Sequence, residues 1–596
     1  MRRVLTPPLV VVSLALLLAV SGVAAGGVAA QGVTPGGVGD AAHSATADEC
    51  EVGDGTELVG CWNGVHYAEE PGFNQSDGLT EAELERLTHL TMARVEHLRE
   101  RPFQAEVPVE TVTRSEFADD TAGGTDGDQA FQRWNDQVWK ALFVVGEDEA
   151  SGDAIDAVFG GAVSGFYSPA DDRVVLVVGE GETLQVSELT LAHELGHAMQ
   201  DQYQNLADPR YLGDTQDADL AVDGIVEGEV VYLEELYDER CEGEWTCLDE
   251  PDAGSAGGEP PEGFNFGILQ TVLQPYSDGV SYVAELVDED GWDAVDAAMD
   301  EPPETTSEVI HRNPDYETRE VEFEDTATGG WETYDGQGVD GAETAGEASM
   351  FVMFWYQSAG IQFDGGYEYP ILDPDRSVAE NFNVHLQTDV QLRTRAAYNY
   401  AHEATDGWAG DELYPYRNDG SDADTDGDTD TDDADDNTDN TDDARNGYVW
   451  VTEWQTPEDA AQFHETYLRM LTAHGDDAYD PDEVYAIDDG DFRGAYGVER
   501  DDTTVTISHA PEPADVLDLR PDADLSVPTS DDASDGVDRS TDDGSTDDGS
   551  TDDASDGDDS AGPEGTSAGE APGFGVVAAL LGLLAAVSLL ARRSRP

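Results

Sequence analysis

The stretch Leu191-Ala192-His193-Glu194-Leu195-Gly196-His197-Ala198-Met199-Gln200 decides how the chain is read. It contains H-E-x-x-H. On a helix of about 3.6 residues per turn, the two histidines leave from one face and can share a metal ion. Glu194 then stands beside that metal, where its carboxylate can take a proton from an activated water. Leu191, Leu195 and Met199 form an apolar stripe, whereas His193, His197 and Gln204 lie away from it, as on a helix lining a buried site. With 12 histidines in 596 residues, chance would supply this pattern on the order of a few hundredths of a time. The plain alternative is a helix with two surface histidines.

Two histidines leave a zinc ion short of a protein ligand. The metzincin continuation needs Gly three and His or Asp six residues after His197, and those positions hold Gln200 and Tyr203. The gluzincin pattern takes a glutamate from a downstream helix, and 217–239 has helical character around Asp223-Gly224-Ile225-Val226-Glu227-Gly228-Glu229. Glu227 is the chosen third ligand, since Gly224 and Gly228 beside it would let this helix approach the metal helix closely. Asp223, one turn earlier, is placed to hydrogen-bond a ligating histidine. Glu229 and Glu234 remain rivals to Glu227.

The strand before the metal helix, Val174–Val178, is the second arm of a hairpin that begins at Phe166-Tyr167-Ser168-Pro169. It is either the sheet edge that receives a substrate peptide as an added strand or an ordinary core strand. Downstream, Thr305–Asn313 reads as a short helix ended by Pro314. There His311 or Tyr316 is a candidate to stabilise an oxyanion; the plainer alternative is a polar residue at a helix end. A helix over 343–361, rich in Met, Phe and Trp, belongs to the core.

Composition adds the setting. The net charge of −105 comes from 132 acidic against 27 basic residues, and Lys140 is the sole lysine. So dense an acidic surface implies surroundings where salt screens it, as in an extreme halophile. It excludes nucleic acid as a partner, since phosphates would be repelled. Arg2-Arg3, the apolar run Leu9–Val20 and small residues to Gln31 read as an export signal over 1–31, by either the general or the twin-arginine route. Cys50 with Cys61 and Cys241 with Cys247 form two local pairs, read as short-loop disulfides in an exported protein, the first within an N-terminal segment 32–64.

Two runs of Asp, Thr, Ser and Gly, 419–443 and 522–571, are too polar to bury a core and are expected to be disordered. The second is a stalk. Within the first, Asp422-Ala423-Asp424-Thr425-Asp426-Gly427 matches half of a calcium loop. Thr429, Asp433 and the lack of flanking helices depart from that pattern, so a solvated loop is expected, with Ca2+ as the alternative. Around these runs the chain divides into a main block, 65–365, and a small α+β unit, 366–521, expected to be an accessory or packing module.

Two resemblances follow. Pro572-Gly573-Phe574, the apolar run to Ala591 and then Arg592, Arg593 and Arg595 resemble the PGF-type archaeal sorting signal. That resemblance implies that a membrane transpeptidase of the archaeosortase kind removes 572–596 and joins the new end to lipid; an ordinary transmembrane anchor is the alternative. Gly165-Phe166-Tyr167, the short strand, His193 to Gln202 and Val226-Glu227-Gly228-Glu229 together resemble a group of secreted zinc metallopeptidases of bacteria and halophilic archaea, in the gluzincin division. The resemblance spans about Leu98 to His474 without the acidic insertion. It implies an α+β fold with a zincin-like catalytic domain, His193, His197 and Glu227 on one Zn2+, Glu194 as catalytic base, and a peptide or protein substrate. A zinc hydrolase of non-peptide amides or esters, and a surface structural protein with an inert metal site, are the other expectations.

Overall fold

The computed structural model describes Cys50 and most of residues 58–528, apart from 122–128, 180–182, 252–262, 421–444 and a few shorter gaps. The expected export signal, the sorting tail and most of both acidic runs lie outside the described residues. Among the described residues, no helix is long and apolar enough to cross a membrane.

The architecture is mixed α+β. Helix α1, Glu81–Arg99, starts at a capping box formed by Thr80 and Glu83 and stops where Glu100 turns left-handed at φ 58°. A three-stranded sheet follows, built from β1 (Val109–Thr113), β2 (Gly165–Ser168) and β3 (Arg173–Val178). Its order is β1-β3-β2, with β1 parallel and β2 antiparallel to β3. The hairpin is as expected, but β3 is the central strand and buries Val174, Val175 and Leu176. The core-strand alternative therefore applies to β3, and the edge beside the metal helix is β2.

The metal helix α2, Glu188–Gln204, is capped by the Ser187 side chain, which accepts from Thr190 N. Helix α3, Gln216–Cys241, lies against it. Three helices meet at one buried ion pair: Arg94 on α1 donates to Glu188 on α2 at 2.6 Å, and Tyr237 on α3 donates to the same oxygen at 2.5 Å. Loss of either charged partner would strand its mate, at a cost of about 3–5 kcal/mol. Both expected disulfides are present, Cys50–Cys61 and Cys241–Cys247. The second holds the loop whose Thr246 carbonyl and Leu248 N–H meet Arg94 and Glu188.

The short helix α4, Thr306–Ile310, packs on α3. A six-stranded antiparallel sheet completes the chain. In chain order it contributes β4 (Glu332–Thr333), then helix α5 (Gly346–Tyr356), β5 (Trp408–Asn418) and β6 (Arg445–Trp454). Helix α6 (Pro457–His474), β7 (Tyr485–Ile487), β8 (Gly494–Asp501) and β9 (Thr504–Ala510) follow. The spatial order is β4-β5-β6-β9-β8-β7. Asn418 and Arg445 are register partners, so the strands on either side of the acidic insertion pair with each other and the sheet is intact across it.

Helix α5 is shorter than its apolar pattern suggests at both ends, and its start is set from outside. Asp411 on β5 accepts from the N–H groups of Ala345 and Gly346 and from the indoles of Trp408 and Trp450. One apolar cluster carries Val138, Phe143 and Phe266 together with Phe354, Trp408, Trp450 and Phe463, so residues on both sides of position 365 share a core.

Candidate metal centre

The approach of α2 to α3 depends on a glycine that the sequence reading passed over. A Cβ on Gly196, between the two histidines, would lie 2.7 Å from Val230 Cγ1, so only glycine lets the helices close at that point. Gly224 and Gly228, expected to do this, face elsewhere. Gly224 abuts Val309 on α4, and Gly228 abuts Gly279 in the single π turn Pro275–Gly279. They seat α3 on its far neighbours.

This packing brings three side chains to one point. Nε2 of His193 and Nε2 of His197 are 3.3 Å apart, and each is 3.3 Å from Oε2 of Glu227. A tetrahedral zinc with bonds of about 2.0 Å requires ligand separations of about 3.3 Å, so the triangle has the size such an ion needs. The donor set, two imidazoles and one carboxylate, also suits zinc with one position left open. All three side chains are buried, His193 at 1%, His197 at 0% and Glu227 at 2% exposure, which removes the surface-histidine alternative. Burial pushes the Glu227 carboxyl up, yet the two imidazoles more than offset it and hold it at about 2. Burial pushes His193 down, but Glu227, Glu234 and Glu194 together raise it well above the usual histidine value. A metal ion would displace that proton.

The outer nitrogens are held differently. His197 Nδ1 meets Gln200 Oε1 at 2.9 Å, and Gln200 Nε2 donates to the Val226 carbonyl at 2.9 Å and to Glu229 Oε2 at 3.0 Å. Because Gln200 Oε1 can only accept, this contact puts the proton on Nδ1 and leaves Nε2 as the ligating atom. Glu229 is in turn ion-paired with Arg99. His193 Nδ1 meets Glu234 Oε2 at 3.2 Å. The rivals Glu229 and Glu234 thus stand behind the histidines, and Glu227 alone of the three joins the triangle. Asp223 interacts with Asp219 and Glu227 rather than with a histidine. Its expected supporting role is filled by Gln200 and Glu234. The three-residue spacing from His197 to Gln200 was the signal available in the sequence for that contact.

Glu194 is fully buried beside His193. The edge strand β2 crosses directly over it: a Cβ on Gly165 would sit 3.3 Å from both Cγ and Oε1 of Glu194. Tyr167, two residues on, donates to Asp201 Oδ2 on α2 at 2.8 Å and ties strand to helix. Tyr276, in the π turn, was not anticipated; its ring lies nearly parallel to His193, with centroids 6.4 Å apart. His311 is drawn instead to Glu347 and Asp406, and Tyr316 stacks on it. A surface cleft of about 520 Å³ between Pro209–Gly213 and Glu301–Glu304 contains none of these residues.

Comparison with known proteins speaks to the C-terminal part of the chain. Residues 332–520 match a family described as a domain of unknown function, DUF8575. Residues 571–593 match the PGF-CTERM motif. No curated protein and no solved structure matches the chain. The motif makes this an exported archaeal cell-surface protein whose C-terminal sorting signal is processed for membrane anchoring.

Proposed function

We propose that this cell-surface protein is a zinc metallopeptidase of the gluzincin kind, with a zincin-like catalytic unit. The observation that carries the reading is the equal-sided triangle of His193, His197 and Glu227 with Glu194 next to it on the same helix. A zinc ion there would supply Lewis acidity, lowering the pKa of a water and polarising a carbonyl. The chain's own residues do the rest. His193, His197 and Glu227 hold the ion, and Gln200 and Glu234 orient the imidazoles. Glu194 accepts the proton of the attacking water and returns it to the departing amine. Strand β2 is an edge of the three-stranded sheet, so its side away from β3 is where an extended peptide would add as a further strand. That geometry favours a peptide over a compact substrate, and cleavage within a chain is the default.

The test is hydrolysis by the purified full chain in concentrated salt, before and after chelation and after zinc is restored. Unfolded protein and a small ester serve as parallel substrates. The proposal expects cleavage of unfolded protein, abolished by chelator and recovered with zinc. Cleavage of the ester alone would indicate a different zinc hydrolase. Bound zinc with neither activity would indicate an inert metal site in a surface structural protein.

A further inference from the structure

A second histidine–carboxylate cluster lies outside the centre described above. His311, which ends α4, places Nε2 at 3.0 Å from both carboxylate oxygens of Glu347 on α5. The same nitrogen is 3.7 Å from Oδ1 of Asp406, in the turn leading into β5. One donor atom from each of the three residues lies within 4.8 Å of the others. The Glu347 side chain is wholly buried, His311 is 22% exposed and Asp406 is 64% exposed, so the cluster is a notch with a closed floor and an open rim.

The floor is held in place. Ser307 Oγ donates to Glu347 Oε2 at 2.6 Å. Tyr316 stacks on the imidazole with centroids 5.5 Å apart, and its hydroxyl donates to the Trp408 carbonyl at 2.7 Å. Behind the pair stands another carboxylate. Asp278, in the π turn, is 1% exposed, and its Oδ2 has no hydrogen-bond partner. It interacts electrostatically with both His311 and Glu347. Arg312 also acts on Asp278, but its guanidinium is ion-paired with Glu285 at 3.1 Å.

The charge balance gives the cluster its meaning. Burial pushes the Asp278 carboxyl up to about 8, so it adds no charge near neutral pH; Glu347 and Asp406 flank one imidazole, and even a protonated His311 leaves one negative charge, at the open rim. A divalent cation would take up that charge and give the three donors a common partner. One imidazole nitrogen with two or three carboxylate oxygens is a set suited to zinc or manganese. We propose that His311, Glu347 and Asp406 form a second site for a first-row divalent metal ion, with Asp278 behind it. The site clamps α4 to α5 and to the turn before β5. Glu347 and Asp406 lie inside the family-matched stretch 332–520, whereas His311 and Asp278 lie outside it, so the ion joins that stretch to the rest of the chain. This gives His311 a ligating role in place of the oxyanion role for which the sequence made it a candidate.

The experiment uses the full chain in concentrated salt, stripped with chelator and reloaded separately with Zn2+ and Mn2+, with metal counted by mass spectrometry. The parent should hold two ions per chain with at least one of these metals. His193→Ala should hold one, and Asp406→Asn, an exposed substitution that spares the core, should lose the second ion or bind it at least tenfold more weakly. The one ion left in His193→Ala should raise its melting temperature, and His311→Ala in that background should abolish the rise. One ion in the parent and none in His193→Ala would overturn the proposal and leave an ordinary His311–Glu347 ion pair. One ion in the parent that survives His193→Ala but not His311→Ala would support this site while removing the ion from the first.

Discussion

The two histidine–carboxylate clusters use similar donors and differ in nearly everything around them. At His193, His197 and Glu227 three atoms stand at equal 3.3 Å spacing, fully buried. Both outer imidazole nitrogens there are engaged by Gln200 and Glu234. At His311, Glu347 and Asp406 the spacings are 3.0 and 3.7 Å, and one carboxylate reaches solvent. The first sets the spacing of its donors and, through Gln200, the tautomer of His197, as an open metal position would require under the proposed function. The second is a loose junction between elements far apart in sequence, suited to holding them together. Burial and the hydrogen bonds behind the donors, more than donor type, separate the two clusters, and on the proposed readings they separate a site for reaction from one for attachment.

Substitutions at the two clusters should separate them experimentally. The largest effect is expected from His197→Ala, which should abolish zinc at the first centre and bring proteolysis to background, while metal at the second cluster stays. Zinc content and cleavage measured on one sample check it. Gln200→Leu comes next. It frees the His197 tautomer and takes a donor from the Val226 carbonyl and from Glu229, so zinc affinity should fall about 10- to 100-fold. The lost hydrogen bonds should cost about 1–3 kcal/mol, readable in competitive zinc titration and thermal unfolding. Glu234→Gln, at a side chain 25% exposed, should do less on both counts.

Gly196→Ala forces a methyl into Val230 and should destabilise the chain by about 1–3 kcal/mol, with proteolysis per folded molecule reduced because the triangle is spread. Apart from metal and cleavage, a pH dependence of stability is expected near the second cluster. Burial raises the Asp217 carboxyl to about 8, outweighing its hydrogen bonds from Thr306, and Asp411 and Glu347 push the same way. A folded pKa above the unfolded one means that the folded state holds its proton more tightly. The stability associated with that proton is therefore full below about pH 4 and lost as pH rises towards 8. Asp217→Asn should flatten that slope in melting curves recorded in saturating salt.

The contrast also explains what could be read from the chain alone. His193 and His197 sit on one helix, so a local period placed both and Glu194 with them. Glu227 came from an apolar-periodic helix with glycines, although those glycines serve the far side of α3, and Gly196 makes the close approach. Residue spacing cannot say which face of a helix meets which neighbour, and two helices of mixed character left that open. Which strand of the hairpin forms the edge stayed open for the same reason: β2 and β3 form a hairpin whichever of them is central, and only the pairing of distant β1 with β3 decides it. The second cluster was hidden because 36 residues separate His311 from Glu347 and Asp406 lies in a turn. In a chain with 132 acidic residues, no single carboxylate stands out until the fold brings it to a histidine.

The account rests on Glu194 as the base beside a zinc held by its neighbours, and Glu194→Gln tests it most directly. The change keeps the size of a buried side chain and leaves the three ligands untouched. Assayed on unfolded protein in concentrated salt, with zinc measured in the same preparation, the variant should retain the metal of the parent and lose cleavage by about 10²–10⁴-fold. A variant that carries zinc and cleaves as fast as the parent would contradict the account.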